Sequence, residues 1–170
     1  MKRKLFLVLS MLTAGCGDDA PTTPSSTTGM TFFVSSTTSV TGNLGGLAGA
    51  DALCQRLATS AGQGQRTWRA YLSVEHDAAN GTQPAHARDR IGSGPWRNFN
   101  QVVVANSLAE LHARSGDAAV FVDEARRQIN GQWTGSPSPV EHDILTGSNG
   151  DGTLAAGLTC ADWTSASDAL

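Results

Sequence analysis

The chain has 170 residues, room for one ordinary domain or one domain plus a tail, which excludes a multidomain enzyme. Its residues are 39% hydrophobic and 16% charged, and 12 Lys and Arg stand against 15 Asp and Glu, a near-balance with no basic footprint for DNA or RNA. Nineteen glycines with only 6% aromatics predict a loop-rich domain with a modest core.

Lys2, Arg3 and Lys4 precede the apolar run Leu5-Phe6-Leu7-Val8-Leu9-Ser10-Met11-Leu12, the pattern of a secretory signal. The run is too short for a bilayer span, which takes about 20 apolar residues. Thr13-Ala14-Gly15-Cys16 follows and resembles the bacterial lipobox. That resemblance implies cleavage after Gly15, a diacylglycerol on the Cys16 thiol and an acylated new amino terminus, so that several chains anchor the protein to a membrane. Residues 1–15 read as a lipoprotein signal peptide, 16–30 as a flexible tether rich in Pro, Ser and Thr, and 31–170 as the folded domain. Loss of residues 1–15 removes three of the 12 basic residues and none of the 15 acidic ones, leaving a net side-chain charge of −6. The expected location is the cell envelope, at the periplasmic face or the outer membrane.

Thr31-Phe32-Phe33-Val34 reads as a short strand and Gly42 to Gly46 as a turn. Leu47, Ala50, Leu53, Cys54, Leu57, Ala58 and Ala61 recur at helical spacing with Gly62 at the C′ position, which predicts a helix over 47–61 with Cys54 facing the core. Trp68, Ala70 and Leu72 alternate with Arg69 and Tyr71, the period of a half-buried strand packed on that helix. Residues 74–100 read as long loops carrying Arg88, Asp89, Arg90 and Trp96. Val102 to Val104 predicts a brief strand, Ser107 to Glu110 a capping box opening a short helix, and Val120 to Val122 another strand.

Five motifs follow one another in order. They are Gly45-Gly46-Leu47-Ala48-Gly49-Ala50-Asp51-Ala52-Leu53-Cys54, Thr67-Trp68-Arg69-Ala70-Tyr71-Leu72-Ser73, Ala87-Arg88-Asp89-Arg90-Ile91, His142-Asp143-Ile144-Leu145-Thr146-Gly147-Ser148 and Thr159-Cys160-Ala161-Asp162-Trp163-Thr164-Ser165. Over residues 31–166 the chain resembles a family of bacterial secreted and lipoprotein domains related in fold to endostatin and, more distantly, to C-type lectins. The resemblance implies an α+β, C-type-lectin-like domain with two helices on irregular antiparallel sheets and long loops. It also implies that Cys54 and Cys160 each pair with a later cysteine, in a strand region that relatives carry beyond the last motif. With Leu170 the final residue here, three alternatives follow. Cys54 and Cys160 pair with each other, or stay buried and reduced, or the chain is a truncated gene fragment of marginal stability.

His76, His86, His112 and His142 show no zinc-binding spacing, so neither a metal nor a cofactor is expected. Asn149, Asp151 and Thr153 alternate with glycines in the manner of turn chemistry, and the twelfth position of a calcium loop begun at Asn149 falls on Cys160 rather than Glu. Trp68 is expected in the core and Trp96 at the surface. The leading expectation is a non-enzymatic, lipid-anchored binding module that meets a glycan or protein through Arg88, Asp89, Arg90, Trp96, His142 and Asp143. Its rivals are a hydrolytic enzyme using His142 and Asp143, and a nonfunctional fragment.

Overall fold

The computed structural model describes residues 29–114, 118–131 and 144–167. Cys16, Trp133, His142 and Asp143 lie outside the described residues, as do the signal segment and most of the tether. The architecture is mixed α/β, with four helices and two small antiparallel sheets among the described residues.

Helix α1 spans Gly46–Ser60, one residue from its expected bounds, and buries Ala50 and Ala58. It enters through Gly45 and Gly46, both left-handed, with the Asn43 side chain accepting from the Gly45 amide at 3.0 Å. Gly49 is needed one turn in, because a Cβ there would stand 2.1 Å from the Leu44 carbonyl oxygen. The helix closes as the Gly62 position predicts: φ is +74° there, the Gly62 amide donates to Thr59 O at 3.0 Å and the Gln63 amide to Ala58 O at 2.8 Å. These are the two hydrogen bonds of a Schellman motif.

The segment after α1 keeps its expected period of two, with Trp68, Ala70 and Leu72 buried and Arg69 exposed, but among the described residues no strand pairs with it. Its backbone pairs with helix side chains instead. Trp68 N donates to Gln55 Oε1 at 3.0 Å and Ala70 N to Asp51 Oδ1 at 2.8 Å. Two residues along an extended chain advance about 6.6 Å and four along a helix about 6 Å, so Asp51 and Gln55 can receive alternate amides as a neighbouring strand would.

Residues 74–100, expected as loops, are more ordered than that. Strand β1 (Val74–Asp77) pairs antiparallel with β2 (Gln83–Ala85) around a turn in which the Asp77 side chain accepts from Ala79 N and Gly81 is left-handed. Helix α2 covers Ala87–Arg90, and β3 (Trp96–Arg97) pairs antiparallel with β4 (Val103–Ala105). Polar composition concealed the first hairpin, since β1 and β2 are short and largely solvent-facing, whereas β4 lies close to the strand expected at 102–104. Between β3 and β4, Asn98 is fully buried and saturated: its Nδ2 donates to Ala119 O and Val120 O, and its Oδ1 accepts from the amides of Asn100 and Val102. Helix α3 (Leu108–Ala113) is capped by Ser107 as expected. Glu110, however, reaches one residue further back, to the backbone and side-chain nitrogens of Asn106. Helix α4 is the four-residue turn Cys160–Trp163. The segments at 31–34 and 120–122 contribute isolated bridges, Val34 to Asp123 and Val122 to Gln128, rather than strands.

The core is divided. One cluster gathers Ala50, Ala70, Leu72, Val74 and Trp163, a second Trp96, Val104, Ala105 and Val120, and a third Met30, Ala58 and Trp68. With so little regular sheet, buried backbone groups are paired by side chains, which is the alternative when no ladder is available.

Candidate functional site

The residues that carry the five motifs converge on two inward-facing polar knots. In the first, Arg90 donates from Nη1 to Ala70 O at 2.6 Å and from Nη2 to Asp51 Oδ2 at 2.7 Å, while Asp51 Oδ1 takes the Ala70 amide. The amide and the carbonyl of one residue, Ala70, are thereby both held by an ion pair, and the Arg90 side chain is only 8% exposed. In the second, Ser73 is fully buried: its amide donates to Thr146 O, its hydroxyl shares a 2.8 Å hydrogen bond with that of Ser148 and accepts from Ala87 N, and its carbonyl receives Trp163 Nε1 at 2.9 Å. Gly147 is left-handed there, and a Cβ on it would sit 3.1 Å from both Ser73 O and the Trp163 ring.

Two expectations for the binding loop are thereby corrected. Arg90 points inward as the clamp of Ala70, and Trp96 is buried, 7% exposed, on β3 against Val104 and Val120, because the hairpin turns its ring under the sheet. Arg88 and Asp89 do lie at the surface; Arg88 Nη1 stands 3.6 Å from the Asp151 carboxylate. Trp68 occupies the core as expected. Cys54 and Cys160 are both free, half-buried thiols packed against the Trp163 cluster, so the candidate disulfide is not formed. Burial, followed by the negative charge of Asp51, pushes the Cys54 thiol up to about 11.

Two features had no clear signal in the sequence. Cys160, Ala161, Asp162 and Trp163 have φ of 50°, 52°, 55° and 64°, four successive non-glycine residues in the left-handed region. Each costs about 1–2 kcal/mol and such residues normally occur singly. This turn aims the Asp162 carboxylate at the Glu75 amide (2.6 Å) and at His76 Nδ1 (3.0 Å), while Trp163 enters the core. His76 is two-thirds exposed, so a carboxylate holds one ring nitrogen and the other faces water. The second feature is Tyr71, whose hydroxyl lies 2.8 Å from His112 Nε2. Both side chains pack on Gly152, where a Cβ would collide with them and with Arg88. Burial raises the Tyr71 hydroxyl above its ordinary value. The Asn149–Thr153 turn, expected from its Asn, Asp and Gly residues, closes on itself: Asp151 Oδ1 accepts from the amide and hydroxyl of Thr153, and Asn149 Nδ2 donates to Thr153 Oγ1 and Leu154 O. Those bonds hold the Asp151 carboxyl below its usual range and account for the turn without an ion. No cluster of three potential metal ligands occurs among the described residues.

The exposed His76, Asp89 and Asp151 and the half-buried Arg88 are the candidate recognition groups of this region. A mixed α/β domain with small antiparallel sheets and few helices is the class this architecture defines. The chain belongs to the family described as "Protein of unknown function (DUF1554)", whose model matches residues 37–170. No curated protein and no solved structure matches it.

Proposed function

We propose that this protein is a lipid-anchored binding module of a bacterial cell envelope. In this reading Cys16 carries the lipid, residues 17–29 give reach, and a non-enzymatic domain of C-type-lectin-like type meets a glycan or protein ligand. The observation that carries the reading is that the motif side chains Asp51, Ser73, Arg90, Ser148 and Trp163 are engaged in holding backbone, which suits a scaffold presenting surface loops. Arg88, Asp89 and His76 are the surface groups placed to touch a ligand. A glycan and protein array probed with the full chain tests this: a hit lost in R88A or H76A but retained in a variant changed on the opposite surface supports it, and binding unaffected by either substitution counts against those groups.

A hydrolytic reading has one specific observation in its favour, the exposed His76 imidazole oriented by Asp162 at 3.0 Å. Loss in H76A of a hydrolytic activity shown by the parent protein would favour it over the binding module.

A further inference from the structure

The last turn of α1 faces the loop 123–127 across a groove of about 310 Å³, lined by Leu57, Ser60, Ala61, Phe99, Glu124 and Arg126. That volume is at the lower end of small-ligand sites. From the geometry we infer that this groove is a binding site for a small organic cation, an ammonium group on an apolar body. The inference rests on reading the domain as a binding module and adds the chemistry of one ligand.

Three independent features favour positive charge there. Glu124 is buried, 6% exposed, and among the described residues its carboxylate is met by Ser36, whose amide reaches Oε2 at 3.1 Å and whose hydroxyl bonds Oε1. No Arg or His among the described residues pairs with it. Buried carboxylates ordinarily have a cationic partner, and here the groove is where one would enter. The negative pole of the 15-residue α1 opens on the same space, and no basic residue occupies its last turn. Finally, the Phe99 ring already holds a cation on its face: the Arg126 guanidinium lies 4.3 Å from the ring centroid.

Arg126 is thus an internal stand-in for the ligand's charge. Its position is set by a turn around the buried Asp123, whose side chain accepts from the amides of Ala125 and Arg127 and whose carbonyl takes the Arg126 amide, with Arg126 at φ +69°. Being exposed, Arg126 can swing away and yield the ring. An incoming ammonium would then lie between Phe99 and Glu124, with its carbon body on Leu57 and Ala61.

The test is a titration of the full-length chain in detergent with choline chloride, followed by amide chemical shifts, with sodium chloride at matched ionic strength as control. Saturable shifts at Phe99, Ala125 and Ser60 that sodium chloride does not reproduce are expected. R126A, which frees the ring, should tighten binding by about threefold. E124Q should weaken it by roughly tenfold or more. If E124Q does not fold, R126A alone decides. Shifts that stay linear or match sodium chloride, or an R126A variant that binds no tighter, overturn the inference. The array with R88A and H76A reads residues that do not line this groove, so either result stands without the other.

Discussion

Replacing Arg90 by alanine probes the clamp on which three motifs meet. The change removes two hydrogen bonds of 2.6 and 2.7 Å, leaves the Ala70 carbonyl with the Leu72 amide at 3.0 Å alone, and leaves Asp51 with its countercharge gone. Losing a hydrogen bond from a charged donor costs about 1.5–3 kcal/mol. Breaking a fully buried ion pair from one side costs about 3–5 kcal/mol. Because Asp51 is 28% exposed, water can solvate part of its charge, and we expect a total of about 3 kcal/mol. For a domain of this size that corresponds to a fall in Tm of roughly 10 °C, read by circular dichroism melting. D51N separates the contributions: it keeps an oxygen for the Ala70 amide while removing the charge, so it should cost less than R90A. The coupling in a D51A and R90A cycle should exceed about 1 kcal/mol. An R90A melting point within two or so degrees of the parent, or a coupling near zero, would refute the clamp.

Other substitutions give outcomes as definite. G49A should destabilise by more than about 2 kcal/mol in urea unfolding, reversing the gain of about 1 kcal/mol that Gly to Ala ordinarily brings inside a helix, because the new Cβ would meet Leu44 O. S73A takes the acceptor from the buried Ala87 amide and should cost about 1–3 kcal/mol by the same assay. For Cys54 the sign follows from its thiol being pushed up to about 11, above its value in the unfolded chain. The unfolded state then loses its proton first, so the contribution is whole below the ordinary thiol range and is lost as pH rises toward 11. C54A should flatten that alkaline decline in denaturant midpoint, and Y71F should flatten the part contributed by the raised Tyr71 hydroxyl. Under non-reducing denaturation a thiol assay should find Cys54 and Cys160 both free.

Helix α1, its glycine stop and the Ser107 cap were legible because each rests on local chemistry: spacing, a left-handed C′ residue and a hydroxyl at the N-cap. The alternation of Trp68, Ala70 and Leu72 gave burial correctly but not pairing, since nothing local says that Asp51 and Gln55 will replace a strand. Arg90 and Trp96 looked like surface groups because their neighbours are polar. Their burial depends on Asp51 and on Val104 and Val120, partners distant in the chain. The left-handed turn at 160–163 was hidden for a different reason. Non-glycine residues disfavour it, and only the combined hold of Trp163 in the core and Asp162 on Glu75 and His76 maintains it.

The anchored-module account is tested most directly by mass spectrometry of the amino-terminal peptide from protein purified out of bacterial membranes. It predicts a chain that begins at Cys16 and carries the added mass of a thioether-linked diacylglycerol and an amide-linked acyl group. A free thiol at Cys16, or an intact chain still beginning at Met1 and recovered from the soluble fraction, would contradict it.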